Sequence, residues 1–215
     1  MDQRQILFDK YQFGNNSSYR RRYSNAVRDS FAFQGMCFAA SLHVVKTVMR
    51  DREVSFATYR PEVKNLFEWL AEKQCKYQSD YRTSTKETVI NELNEIKFAN
   101  AANIHSRGMS PDLLVTKDRD RIIGKILLHR DRFPCGYLNI KGRNSGHALA
   151  FCSDKTFLYL YDPNYGFLRF NRSSKEELLD VFQYLNCCFA DMKFSKGCLL
   201  YCKQPAKLHE PNNSW

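Results

Sequence analysis

No stretch of this 215-residue chain approaches an apolar run of about 20 residues, the length a membrane-crossing helix needs, so no such helix is expected. The first thirty residues lack the apolar core of a general secretory signal peptide and are instead rich in Arg, Ser and Asn. Asp2 follows Met1 where N-myristoylation requires glycine. None of the eight cysteines, at 37, 75, 135, 152, 187, 188, 198 and 202, forms a C-x-x-C pair, which removes the commonest zinc and redox patterns. Zinc-finger, helix-turn-helix and RNP-like patterns are also missing, so nucleic-acid binding has only charge to support it and is not expected. Internal repeats and low-complexity linkers are absent as well. A chain of this length makes one core more readily than two.

What is present is the composition of a globule with an aromatic core: 43% hydrophobic residues, with 16 Phe and 12 Tyr. The net charge of +10 favours anionic partners, such as acidic protein surfaces or anionic lipid headgroups. Arg20-Arg21-Arg22 is the densest cationic cluster and reads as part of a solvated arm. Most cysteines lie in apolar runs, and without a secretory signal they read as free, buried thiols rather than disulfides. Cys198, Cys202 and His209 suggest a metal site, but on a strand the two sulfurs would lie about 13 Å apart, at about 3.3 Å per residue. Neither a metal nor another cofactor is expected.

Helical signals dominate the first 130 residues. Cys37 opens an apolar run to Met49; Val63, Leu66, Phe67 and Leu70 follow Pro61 with a helical period; Val89, Ile90, Leu93 and Ile96 repeat it. Ile122, Ile123, Ile126 and Leu127 give a further amphipathic helix after the charged turn Lys117–Arg121, and Gly108 with Ser110-Pro111 marks a break before it. From Gly136 the pattern becomes an antiparallel meander, 136–140, 147–152, 157–161 and 167–170, followed by a capping box at Ser173–Glu176, a helix to about Leu185 and a closing strand 197–202. Leu149, Phe151, Leu158 and Leu160 face one side of the two middle strands, with Ala148, Ala150, Tyr159 and Tyr161 on the other. Both faces are apolar, so these strands are expected to be central. The expected organisation is a polar arm over 1–30, one domain over 31–203 and a tail over 204–215.

Three residues then assemble into a chemistry. His147 and Asp162 are fifteen residues apart, and a turn centred on Asp154-Lys155 would set them directly opposite each other on adjacent strands. That is how a carboxylate orients a histidine base. Cys37, at a helix N-terminus, would sit where the helix dipole favours a thiolate. Taken singly, each has a plainer role: packing for the cysteine, a structural hydrogen bond for the histidine, a turn for Asp before Pro163. The joint order Cys, His, Asp outweighs those readings and points to nucleophilic catalysis. His43 is on another face of the Cys37 helix, and His105, His129 and His209 have no partner pattern.

The segments Gln34-Gly35-Met36-Cys37-Phe38-Ala39-Ala40-Ser41, Gly146-His147-Ala148-Leu149-Ala150-Phe151 and Tyr161-Asp162-Pro163-Asn164-Tyr165-Gly166 resemble the papain-like YopT and AvrPphB family of bacterial effector cysteine proteases. The spacings, 110 residues from Cys37 to His147 and 15 to Asp162, are similar as well. The resemblance implies an α+β papain-like fold in which a helical N-terminal part, with the nucleophile at a helix N-terminus, packs on a C-terminal antiparallel sheet. It implies a thiol protease with Cys37 as nucleophile, His147 as base and Asp162 as its orienter. It also implies a virulence effector exported by a specialised system, such as type III secretion, and acting on a host protein in the host cytoplasm or at an anionic membrane surface. Family members carry an oxyanion-stabilising Gln or Asn several residues before the nucleophile; here Phe31 and Ala32 occupy the sixth and fifth positions upstream, leaving Gln34 or Asn25 to substitute or backbone N–H groups to act alone. Related proteases act on prenylated GTPases with basic tails, which a +10 enzyme would repel. A glutamine deamidase, or a catalytically inert module that binds a host protein, are the other functions this scaffold could serve.

Overall fold

The computed structural model describes residues 2–13, 36–50, 72–73, 110–128, 135–142 and 145–203. The helices expected after Pro61 and around Val89–Ile96, the Arg20–Arg22 cluster, Asn25, Gln34 and the tail 204–215 lie outside the described residues.

The helices among the described residues are α1 (Gln3–Tyr11), α2 (Cys37–Arg50), α3 (Arg119–Leu128) and α4 (Lys175–Asp191). Six strands, β1 (Ser110–Thr116), β2 (Cys135–Gly142), β3 (Gly146–Ser153), β4 (Phe157–Asp162), β5 (Gly166–Asn171) and β6 (Phe194–Lys203), form one antiparallel sheet in the order β1-β6-β2-β3-β4-β5. The fold is α+β, and β2 to β5 form the meander that the alternation of apolar and turn residues predicts. Among the described residues no helix is long and apolar enough to cross a membrane.

The side-chain period of two divides the sheet into two apolar faces. Leu138, Ile140, Leu149, Phe151, Leu158 and Leu160 point to one face and share a core with Leu7 and Phe8 of α1, Ile122 and Ile126 of α3, and Val181 and Leu185 of α4. On the other face Ala148 and Ala150 are fully buried and small. Small side chains let α2 approach closely: Ser41 donates to the Ala148 carbonyl at 3.0 Å, and the Phe38 ring meets Tyr137 edge-on at 5.4 Å.

Four sequence expectations change in the structure. The 1–30 arm does not begin as an arm, because Gln3–Tyr11 is a helix capped by the Asp2 side chain and buried along Arg4, Leu7, Phe8 and Tyr11. Its apolar residues have a helical spacing that the surrounding polar composition masks. The break at Ser110-Pro111 starts β1, which pairs with β6 along its length. Proline is tolerated there because β1 is the edge strand. The α4 cap is Ser174, not Ser173, since its side chain accepts from the Glu177 amide at 3.2 Å, and the helix continues to Asp191.

The fourth change is in register. Ser153 pairs with Leu158 and Ala150 with Tyr161, so the hairpin centres on Lys155-Thr156, one residue later than expected. Asp154 causes this: its carboxylate accepts from the amides of Thr156 and Phe157, both at 2.7 Å, and its own amide donates to the Phe157 carbonyl at 3.0 Å. Shifting the centre by one residue moves every partner by two. His147 and Asp162 are therefore diagonal rather than directly opposed, and a two-residue shift leaves both on the same face.

Candidate active site

The diagonal pair still closes. His147 Nε2 lies 3.0 Å from Asp162 Oδ1, and both residues are buried. Asp162 ends β4 in a tight turn to β5, where the Tyr165 amide returns to the Asp162 carbonyl at 3.0 Å and Gly166 takes a φ of 123°, a conformation glycine supplies without strain. The same turn aims the Asn164 amide at Asp162 Oδ1, also at 3.0 Å.

Burial by itself would raise the Asp162 pKa, but the cations His147 and Arg4 hold the carboxyl well below the usual carboxylate range. An ionised carboxylate only accepts, so Nε2 carries the hydrogen and Nδ1 is the nitrogen left for the thiol. Burial also works against a charged His147. Asp162, followed by a hydrogen bond and charge from Cys37, overcomes it and pushes the imidazole up to about 9. Cys37 is the first residue of α2 and is half-buried, with the following turn set by the Ala40 amide bonding to the Met36 carbonyl at 2.9 Å. The Ser41 bond to Ala148 lies one turn further along and docks that end of the helix beside His147. Cys37, His147 and Asp162 are thus brought together; Gln34 and Asn25 remain outside the described residues.

Sequence reading did not find Arg4, Tyr184, Tyr165 or Asp191. Arg4 is buried, bonds Asp162 Oδ2, reaches Asp191 at 2.7 Å and passes 3.3 Å from His147 Nε2. The Tyr184 hydroxyl donates to Asp162 Oδ2 at 2.8 Å, and burial pushes its pKa well above the ordinary range, which keeps it a neutral donor. The Tyr165 ring stacks under the Arg4 guanidinium at 4.7 Å. A signal did exist: Arg4, Leu7, Phe8 and Tyr11 share one stripe of a helix, and an arginine on an apolar stripe demands a buried anion.

Of the remaining cysteines described, Cys188 is buried, and burial pushes its thiol pKa well above the ordinary value, the environment of an inert packing residue. No cluster of three metal-ligating side chains occurs among the described residues.

The pH dependence of stability follows from His147. A pKa raised from 6.5 to about 9 in the folded state stabilises fully below 6.5, and this contribution is lost as pH rises through about 9. The melting temperature is expected to fall from pH 6.5 to 9 in the wild type and to be much flatter over that range in His147→Gln. Parallel curves for the two proteins would show that the imidazole holds no extra proton.

No protein-family model matches the sequence, and no curated protein matches it significantly. Among solved structures the chain is similar to the Pseudomonas avirulence protein AvrPphB, with a TM-score of 0.48 and 14% identity over 78% of this chain and 91% of that one. It is also similar to PatoxP, a cysteine protease-like domain of the Photorhabdus asymbiotica toxin PaTox, with a TM-score of 0.36 and 11% identity over 86% of this chain. The match spans 58% of the PatoxP chain.

Proposed function

We propose that the protein is a cysteine protease that hydrolyses a host protein after export from a bacterium by a specialised secretion system. The observation that carries the hydrolase reading is the buried His147, held 3.0 Å from an ionised Asp162 on one side and coupled to the Cys37 thiol on the other. The bacterial-effector part rests on the resemblance of the three sequence blocks around Cys37, His147 and Asp162.

The chemistry follows from those positions. The Cys37 thiolate attacks an amide carbonyl and forms a carbon–sulfur bond, and the carbonyl electrons move onto oxygen. The oxyanion meets backbone N–H groups at the start of α2, with Gln34 or Asn25 as the proposed side-chain donor. When the tetrahedral intermediate collapses, the carbon–nitrogen bond breaks and the His147 imidazolium gives its proton to the departing nitrogen. Neutral His147 then takes a proton from water as it attacks the thioester, which releases the acid and restores the Cys37 thiolate beside a protonated imidazole. Asp162 keeps the ring oriented throughout and is not itself protonated.

The test is quantitative mass spectrometry of eukaryotic lysate treated with wild-type or Cys37→Ala protein. New protein termini that require Cys37 are the expected result. Conversion of Gln to Glu without new termini would replace the protease with a deamidase acting through the same triad. Identical proteomes from two folded proteins would leave a binding module.

A further inference from the structure

We propose that Arg4 of the N-terminal helix is a positioning residue of the catalytic centre, clamping Asp162 so that its carboxylate both orients His147 and carries a partly compensated charge. The inference rests on the triad reading of Cys37, His147 and Asp162. Arg4 touches Asp162 and approaches His147 Nε2 to 3.3 Å, although it lies at the opposite end of the chain. Nε2 already carries a hydrogen toward Asp162, so this close approach is not a second hydrogen bond. Arg4 joins His147, Tyr184 and the Asn164 amide in donating to one carboxylate and places a fixed cation beside the imidazole.

The clamp has an outer anchor. Arg4 spans from the buried Asp162 to Asp191, the last residue of α4, which is 44% exposed. A planar guanidinium holds the two carboxylates in a fixed geometry, which the point charge of a lysine does not impose. Stability alone does not account for the arrangement: Arg4 Nε is buried and makes no hydrogen bond among the described residues. Buried ion pairs of this kind are commonly matched in stability by apolar residues. An arginine left incompletely satisfied beside the orienting carboxylate of a triad is explained by what it does to that carboxylate.

Other charged and titratable groups share the neighbourhood. Tyr184 and Tyr165 face Arg4 and Asp162 as neutral phenols, each with its pKa raised first by burial. Cys187 and Cys188 of α4 are held neutral by burial, and Asp2 and Asp191 add negative charge from the ends of α1 and α4. Cys37 lies on the far side of the imidazole and favours its proton. Arg4 is therefore the fixed cation that, together with His147 itself, offsets Asp162, and removing it must let Asp162 hold the His147 proton more tightly.

The experiment titrates the His147 imidazole by NMR in the full chain and measures alkylation of Cys37 by iodoacetamide across the same pH range. Neither readout requires a substrate, so a chain that hydrolyses nothing still tests Arg4, and wild-type values of both readouts sink the clamp without touching the protease reading. In Arg4→Met the His147 midpoint is expected to rise by about one pH unit, with Cys37 alkylation near neutral pH slowed about tenfold as the ring loses its orientation. A folded Arg4→Met protein with the wild-type midpoint and alkylation rate would overturn the proposal. If that variant does not fold, Arg4→Lys decides: the ammonium restores the charge but not the fork. The wild-type midpoint with slowed alkylation supports the clamp, and wild-type values of both overturn it.

Discussion

Asp162→Asn is expected to lower hydrolysis of the substrate found with the Cys37→Ala comparison by about 10⁴-fold, the loss typical when a triad histidine is held in the wrong tautomer. Asp162 accepts from His147 Nε2, Arg4, the Tyr184 hydroxyl and the Asn164 amide. An amide at this position has only one accepting atom. Whichever way it turns, its NH₂ faces donors: either His147 and the Asn164 amide, or Arg4 and Tyr184. It also leaves Arg4 buried without a full counter-charge, and breaking a buried ion pair from one side typically destabilises by about 3–5 kcal/mol. Asp191 is half-exposed and still pairs with Arg4, so the lower end of that range applies. Denaturant unfolding and steady-state kinetics on the same preparation measure both effects. Activity within tenfold of wild type would remove Asp162 from the mechanism, and unchanged stability would mean that Arg4 finds another anion.

Phe8→Ala is expected to destabilise the fold by about 3–5 kcal/mol, the usual range for truncating a fully buried phenylalanine. Phe8 is 1% exposed, sits in the core on the α1, α3 and α4 side of the sheet and contacts the Tyr165 ring at 5.4 Å. The substitution distinguishes a packed helix from a solvated arm: a residue on an arm would change stability by no more than about 0.5 kcal/mol. Denaturant midpoints read the difference directly. A silent Phe8→Ala would detach α1 from the core, and with it the support for Arg4.

The two elements bear on what the sequence discloses. His147 and Asp162 were legible because they are separated by one hairpin, and hairpin geometry is local. The turn centre was misplaced by one residue, since nothing in the pattern shows that the Asp154 side chain would gather two amides. The two side chains meet all the same, because strand parity, not exact opposition, puts them on one face. Cys37 was legible from the apolar run that follows it. Arg4 was not, because its partners lie 158 and 187 residues away, and no local pattern encodes such a contact. What the sequence does record is the spacing of Arg4, Leu7, Phe8 and Tyr11. That stripe was hidden by reading the first thirty residues as one polar block. β1 was missed for a related reason: Ser110-Pro111 is punctuation in most contexts, and only its position at the sheet edge makes it part of a strand.

The order of strands also sets when the site becomes competent. β2 to β5 pair with their immediate neighbours in sequence, so this half of the sheet needs only short loops to close. β6 must then insert between β2 and a strand that begins at Ser110, and Arg4 must cross the chain to reach Asp162 and Asp191. The meander can bring His147 and Asp162 together early, whereas the Arg4 guanidinium reaches Asp162 and Asp191 only once α1 docks on α4. During synthesis on the ribosome Cys37, His147 and Asp162 are therefore all made before the helix that carries Asp191, so the proposed Arg4 clamp can close only after α4 has emerged.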